Sequence, residues 1–132
     1  LIVAKLITDL IMIVSLLFAS WGAAGRPLND ASSMELVRVQ LTIYACIGDA
    51  TGAYCPGEQS TASGQPVGPG ILACGDLFAI GDSIYLDGKW LGTCLDRGRG
   101  PPAWIDVWVY DAAGGERWLA ETGTSVIVER RR

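Results

Sequence analysis

Histidine is absent from the 132 residues. Its absence removes the usual general base near neutrality and every histidine-ligated metal site. No G-x-S-x-G elbow is present, and no cysteine has a histidine partner, so serine and cysteine hydrolase chemistry lack a nucleophile–base pair. Basic residues are scarce: ten Lys plus Arg stand against fourteen Asp plus Glu, a net charge of −4. Lys5, Asp9, Arg26 and Asp30 cancel one another, so the −4 falls on the chain from Glu35 onward. Such a chain has no basic stripe to neutralise phosphates, and nucleic acid is not an expected partner. Arg130, Arg131 and Arg132 read as a solvated tail. Long helices after Gly-rich turns are also lacking, which excludes a Rossmann unit and a P-loop.

Four cysteines are present: Cys46, Cys55, Cys74 and Cys94. An even number in a small secreted domain reads as two disulfides, with three possible pairings. The preferred pairing joins Cys46 to Cys55, closing a local Gly-rich loop, and Cys74 to Cys94, tying two neighbouring strands. Their spacing lacks the paired knuckles of structural zinc, so neither a metal nor a cofactor is expected. Residues 1–25 are largely apolar and carry no charge except Lys5 and Asp9. Residues 10–19 have the length of a signal-peptide core, and Gly22, Ala23, Ala24 and Gly25 offer a cleavage site. The segment is expected to be an export signal, with a membrane anchor as the alternative, although a span wants about 20 apolar residues. Either assignment makes the protein secreted or places it in the cell envelope, outside the cytoplasm, where disulfides persist. Residues 26–36 read as a linker, leaving 37–132 as one folded domain.

Within that domain, residues 37–45 alternate. Val37, Val39, Leu41 and Ile43 lie on one face, and Arg38, Gln40, Thr42 and Tyr44 on the other, the pattern of a half-buried strand. Residues 46–69 are rich in Gly, Pro, Ser and Thr and are expected to form an irregular excursion. Short strands are expected over 70–74 and 83–86, and Asp87-Gly88 is a hairpin turn into a strand over 89–95. A breaker-rich loop follows over 96–102. In residues 103–110, Trp104, Asp106, Trp108 and Tyr110 share one face. Residues 111–115 are expected to turn, 116–121 to form a short helix or turn carrying Trp118 and Leu119, and 124–128 to form the last strand. Six or seven short strands with long Gly-rich loops make an all-β barrel or sandwich.

Among the acids, Asp106 interrupts an otherwise apolar strand, where aspartate is disfavoured. Between Trp104 and Trp108, burial would raise its pKa toward what a general acid needs; the alternative is an ordinary surface carboxylate. Asp96 either caps its own loop or points into the same groove, where two nearby carboxylates can share a proton. Asp76 is the third acid of interest, while Asp82 and Asp87 read as turn residues. Tyr85, Trp90, Trp104 and Trp108 give an aromatic density suited to stacking on sugar rings or to a core. Thr61-Ala62-Ser63-Gly64 offers hydroxyls and backbone N–H groups that could line a cleft.

The order of Thr42-Ile43-Tyr44, Thr61-Ala62-Ser63-Gly64, Gly70-Ile71-Leu72-Ala73, Leu95-Asp96-Arg97-Gly98 and Trp104-Ile105-Asp106-Val107-Trp108 resembles the 3D (three-aspartate) domain family. That family is shared with membrane-bound lytic transglycosylase A and related to the RlpA-like and barwin-like barrels. The resemblance implies a small six-stranded double-psi β-barrel. It assigns Asp106, in Ile-Asp-Val-Trp, as the catalytic acid, and Asp96 as its support, with Arg97 where the family has threonine. Asp76 takes the place of the first aspartate. Tyr44, Thr61, Ser63, Gly64, Trp104 and Trp108 become the expected substrate-binding residues. The implied partner is a peptidoglycan glycan strand, and the implied reaction is lytic transglycosylation with a 1,6-anhydro product. The alternative is a glycan-binding or wall-loosening module without catalysis. A third possibility, an inert scaffold, requires Asp96 and Asp106 to point apart.

Overall fold

In strand β1 (Met34–Ile47), the residues Val37, Val39 and Leu41 turn inward while their neighbours face outward, as two-residue alternation dictates. The computed structural model describes residues 33–48, 54–57 and 59–132. The expected export or anchor segment and most of the expected linker lie outside them. Five further strands follow: β2 (Ile71–Cys74), β3 (Ser83–Leu86), β4 (Lys89–Arg97), β5 (Trp104–Asp111) and β6 (Ser125–Arg131), with one helix, α1 (Ala112–Thr122). The strands close in the order β1-β5-β2-β4-β3-β6. β1–β5 and β2–β4 are parallel, and the other four pairs are antiparallel. This interleaved order is typical of a double-psi β-barrel, so the expected fold class holds.

Val39, Leu41, Leu72, Ile84, Ile105 and Val128 fill the interior. Each fully buried aliphatic side chain contributes roughly 1.5–3 kcal/mol. β2 is buried on both faces. Leu72 and Cys74 point into the barrel, while Ile71 and Ala73 join an outer cluster with Tyr44, Val67 and Trp108. Both preferred disulfides are formed. Cys74–Cys94 ties β2 to β4 inside the core, with Cα atoms 5.7 Å apart. At the β3–β4 hairpin, Asp87 and Gly88 have φ of 50° and 76°, the left-handed pair a two-residue turn needs.

Three expectations are corrected. β1 begins at Met34, so the last residues assigned to the linker are strand. Of the terminal arginines, Arg130 and Arg131 are not a tail; Arg132 is exposed beyond the last strand. β6 pairs with β1 from Met34 opposite Arg131 to Gln40 opposite Ser125, and alternation turns Arg130 inward, only 3% exposed. Arg130 donates to the Leu77 carbonyl at 2.7 Å, pairs with Glu35, lies 3.9 Å from Asp82 and covers the Phe78 ring. Arg131 packs over Tyr85 and pairs with Glu129. Finally, α1 starts where a turn was expected. Asp111 caps it by accepting from the Gly114 N–H at 2.9 Å, and Gly114-Gly115, which read as a turn, lies within the helix. Gly115 is buried because Ile43 and Val109 press against the helix there, where a Cβ would collide with them.

Candidate functional site

Four neighbouring strands place one row of side chains on the outer face of the barrel. Thr42 of β1 is in register with Asp106 of β5, Asp106 with Ala73 of β2, and Ala73 with Asp96 of β4. Strands lie about 4.8 Å apart, so one strand separates the two acidic positions. It carries only a methyl group there, which leaves the space between the carboxylates open. Asp96 reaches this row through a bulge. Leu72 opposes Cys94 but Ala73 opposes Asp96, so Leu95 is the extra residue. Without it, alternation would aim Asp96 into the barrel alongside Cys94.

Asp96 and Asp106 line a single cleft of about 490 Å³, together with Tyr44, Tyr54, Arg97 and Arg99. The requirement of the inert-scaffold reading is therefore not met. Asp106 is half-buried and accepts from Thr42 Oγ1 at 2.7 Å. Burial raises its pKa above the ordinary carboxylate value, and the Thr42 bond offsets part of that rise. Asp96 Oδ1 accepts from the backbone N–H groups of Ala62 and Arg97, both at 2.9 Å. One of its oxygens thus anchors the loop that carries Ala62.

Tyr44 is 9% exposed and meets Tyr54 edge to face at 5.4 Å. Its hydroxyl has no hydrogen-bond partner among the described residues. Burial, and then the charges of Asp96 and Asp106, push its pKa far up. Tyr44 therefore stays protonated, a neutral donor beside two acids.

Other expected site residues take different positions. Thr61, Ser63 and Gly64 do not line the cleft; Gln59 and Ser60, just before them, do. The Thr61 and Ser63 hydroxyls bond each other at 2.7 Å. Their segment spends its backbone N–H groups on Gln65, Asp96, Leu95 and Thr61. Trp108 is 7% exposed, and its Nε1 donates to the Tyr54 carbonyl. The Trp104 ring lies against Gly98 and Gly100, where a Cβ on either would run into it, and its Nε1 donates to Thr42. Trp108 therefore braces the cleft from behind, whereas Trp104, held in place, is partly exposed and lines the cleft beside Asp106 as expected. Asp76 is exposed in the turn after β2 and is not among the cleft residues. Of the three aspartates, the fold brings two together. Gly75, beside Asp76, packs against the Pro101 and Pro102 carbonyls, where a Cβ would collide with them.

Arg97 donates to the carbonyls of Phe78 and Gly75, fastening the end of β4 to the turn after β2. Sequence reasoning missed Thr42, Tyr54, Ala73 and Arg99. Thr42 had a signal, since it shares the polar face of β1 with Tyr44; Ala73 had none without the register. Among the described residues no cluster of three or more Cys, Asp or Glu could hold a metal ion. Comparisons with protein-family models, with curated proteins and with solved structures find no match for this chain.

Proposed function

We propose that this protein is a peptidoglycan lytic transglycosylase acting outside the cytoplasm, with Asp106 as its catalytic acid. The barrel is consistent with a carbohydrate- or cell-wall-interacting module. The observation that carries the reading is a half-buried carboxyl group, biased by burial toward its protonated form, in an open cleft shared with Asp96. Asp106 gives its proton to the glycosidic oxygen after N-acetylmuramic acid. The C1–O bond breaks, and its electron pair stays on the departing oxygen. The sugar's own C6 hydroxyl closes on C1 and returns a proton to the Asp106 carboxylate, leaving a 1,6-anhydro end. No second nucleophilic carboxylate at ordinary glycosidase spacing is needed. That suits a cleft in which Asp96 is engaged in holding a loop. Two formed disulfides support the extracytoplasmic setting.

The test is digestion of purified sacculi by the wild-type protein and by Asp106→Asn. Wild type is expected to release anhydro-muropeptides, and the variant to lose at least about 100-fold of that rate, the usual scale for removing a general acid. Equal release by both would overturn the assignment.

A second reading, wall binding without cleavage, is favoured by Asp76 lying outside the cleft and by the tethered Arg97 side chain standing where the resembled family has threonine. It requires wild type to co-sediment with cell wall while mass spectrometry detects no soluble fragments.

A further inference from the structure

Trp104, Thr42 and Asp106 form a chain of two hydrogen bonds. Trp104 Nε1 lies 2.9 Å from Thr42 Oγ1, which lies 2.7 Å from Asp106 Oδ1. The register explains the meeting. Thr42 and Asp106 are partners on parallel strands, and Trp104 precedes Asp106 by two residues on the same face. An indole N–H can only donate, so Thr42 Oγ1 accepts from Trp104. The threonine hydroxyl has one hydrogen, and among the described residues its acceptor is Asp106 Oδ1. Were Asp106 to carry its own proton on Oδ1, the Thr42 hydrogen would face a carboxylic hydroxyl oxygen, a weaker acceptor than a carbonyl or carboxylate oxygen, and the bond would be weakened.

We propose that Trp104 and Thr42 are positioning residues that keep Asp106 Oδ1 as an acceptor and so hold the proton of Asp106 on Oδ2. A freely turning threonine could instead accept the Asp106 proton and hold it inside the protein. The indole bond works against that, because it takes one of the two lone pairs of the hydroxyl oxygen and favours the rotamer in which the hydroxyl hydrogen points at the carboxylate. Trp104 is itself held in place: its ring rests on Gly98 and Gly100, and the chain just before it is pinned by the Gln40 N–H to the Ala103 carbonyl at 3.0 Å. Trp104 is thereby assigned the orientation of the acid in addition to its place in the cleft lining. The catalytic value of this device rests on Asp106 acting as the acid of the proposed function; the hydrogen-bond chain itself does not.

The other titratable groups facing the same cleft are Asp96 and Arg97 of β4, Tyr44 of β1, and Tyr54 and Arg99 from loops. Among the described residues, Thr42 is the hydrogen-bond partner of the Asp106 carboxylate. Changing Thr42 should therefore act on Asp106 without passing through those groups.

The test is a carbon-13 NMR titration of the Asp106 carboxyl group in the intact protein. Thr42→Val keeps the shape and removes the hydroxyl, and should move the Asp106 midpoint up by about one pH unit. Thr42→Ser keeps the hydroxyl and should titrate like wild type. Trp104→Phe keeps a ring on the two glycines but loses the donor, and should give a smaller upward move through the weakened chain. An unmoved midpoint in Thr42→Val, or a serine variant that behaves like valine, would overturn the proposal. If Thr42→Val does not fold, Trp104→Phe decides in the same way. The titration needs no substrate. A moved midpoint in a protein that never cleaves sacculi would keep the positioning device and remove the transglycosylase.

Discussion

Asp106 sits where water reaches only part of the carboxyl group, so its ionised form is poorly solvated and its pKa is raised. The sign for stability follows. A carboxyl group whose folded pKa exceeds its unfolded value binds its proton more tightly when folded. Its favourable contribution is complete below the unfolded value of about 3.9 and is lost as pH climbs through the raised folded value. Asp106→Asn cannot ionise, and asparagine can still accept from Thr42. The variant is expected to melt a few degrees above wild type at pH 7, with the difference closing at pH 3, as followed by circular dichroism. An Asn variant less stable than wild type at pH 7 would mean that the carboxylate is better satisfied than its burial suggests. Activity carries the same dependence: a proton-donating Asp106 loses competence as pH rises through its folded pKa, while Tyr44 stays neutral throughout.

At the scale of elements, α1 packs on β1 and β5 through a glycine. Gly115→Ala would press a methyl group into Ile43 and Val109. Helix propensity alone favours alanine over glycine by about 1 kcal/mol, but overpacking costs roughly 1–3 kcal/mol. A net loss of stability is expected in urea melts; a gain would show that the helix can shift outward cheaply. This helix also marks the limit of what the chain discloses before folding. Strands β1 and β5 were legible because Val37, Val39 and Leu41, and then Ile105 and Val107, alternate cleanly. The Asp87-Gly88 turn was legible because few other residues accept two successive left-handed conformations. The start of α1 was hidden, since adjacent glycines usually signal a turn and the reason for Gly115 lies on another strand. The bulge at Leu95 was hidden as well, because only Asp96 and Arg97 follow it in β4, too few residues for the shifted alternation to show. That residue decides whether Asp96 faces the barrel interior or the cleft. Asp106 could be singled out by its unsuitability for an apolar strand, whereas the tryptophans were ambiguous because stacking platforms and braces have the same composition.

For the molecule as a whole, the two disulfides differ in what must open before a reductant can reach them. Cys74 and Cys94 are fully buried in the core beside Leu72 and Ile105, and their bond joins β2 to β4 within the closed barrel. Cys46–Cys55 spans nine residues at the end of β1; Cys46 is buried, and Cys55 is partly exposed next to Tyr54, which lines the cleft. Reduction of a buried bond requires an opening whose free energy approaches that of global unfolding, whereas an edge loop opens locally at little cost. In native buffer with a mild thiol reductant, Cys46 and Cys55 should become alkylatable first, and Cys74 and Cys94 only as the barrel unfolds. Mass-spectrometric mapping of alkylated cysteines against time, with and without urea, reads this order directly. The intermediate lacking only the Cys46–Cys55 bond should keep its β-sheet circular dichroism while losing about 2–4 kcal/mol of stability. It should also lose cleft function, because Tyr54 lines the cleft and is the residue next to Cys55, so freeing Cys55 loosens its contacts with Trp108 and Tyr44. Simultaneous reduction of both bonds would mean that the end of β1 at Cys46 and the barrel open as one unit, and that the setting of Tyr54 is as stable as the core.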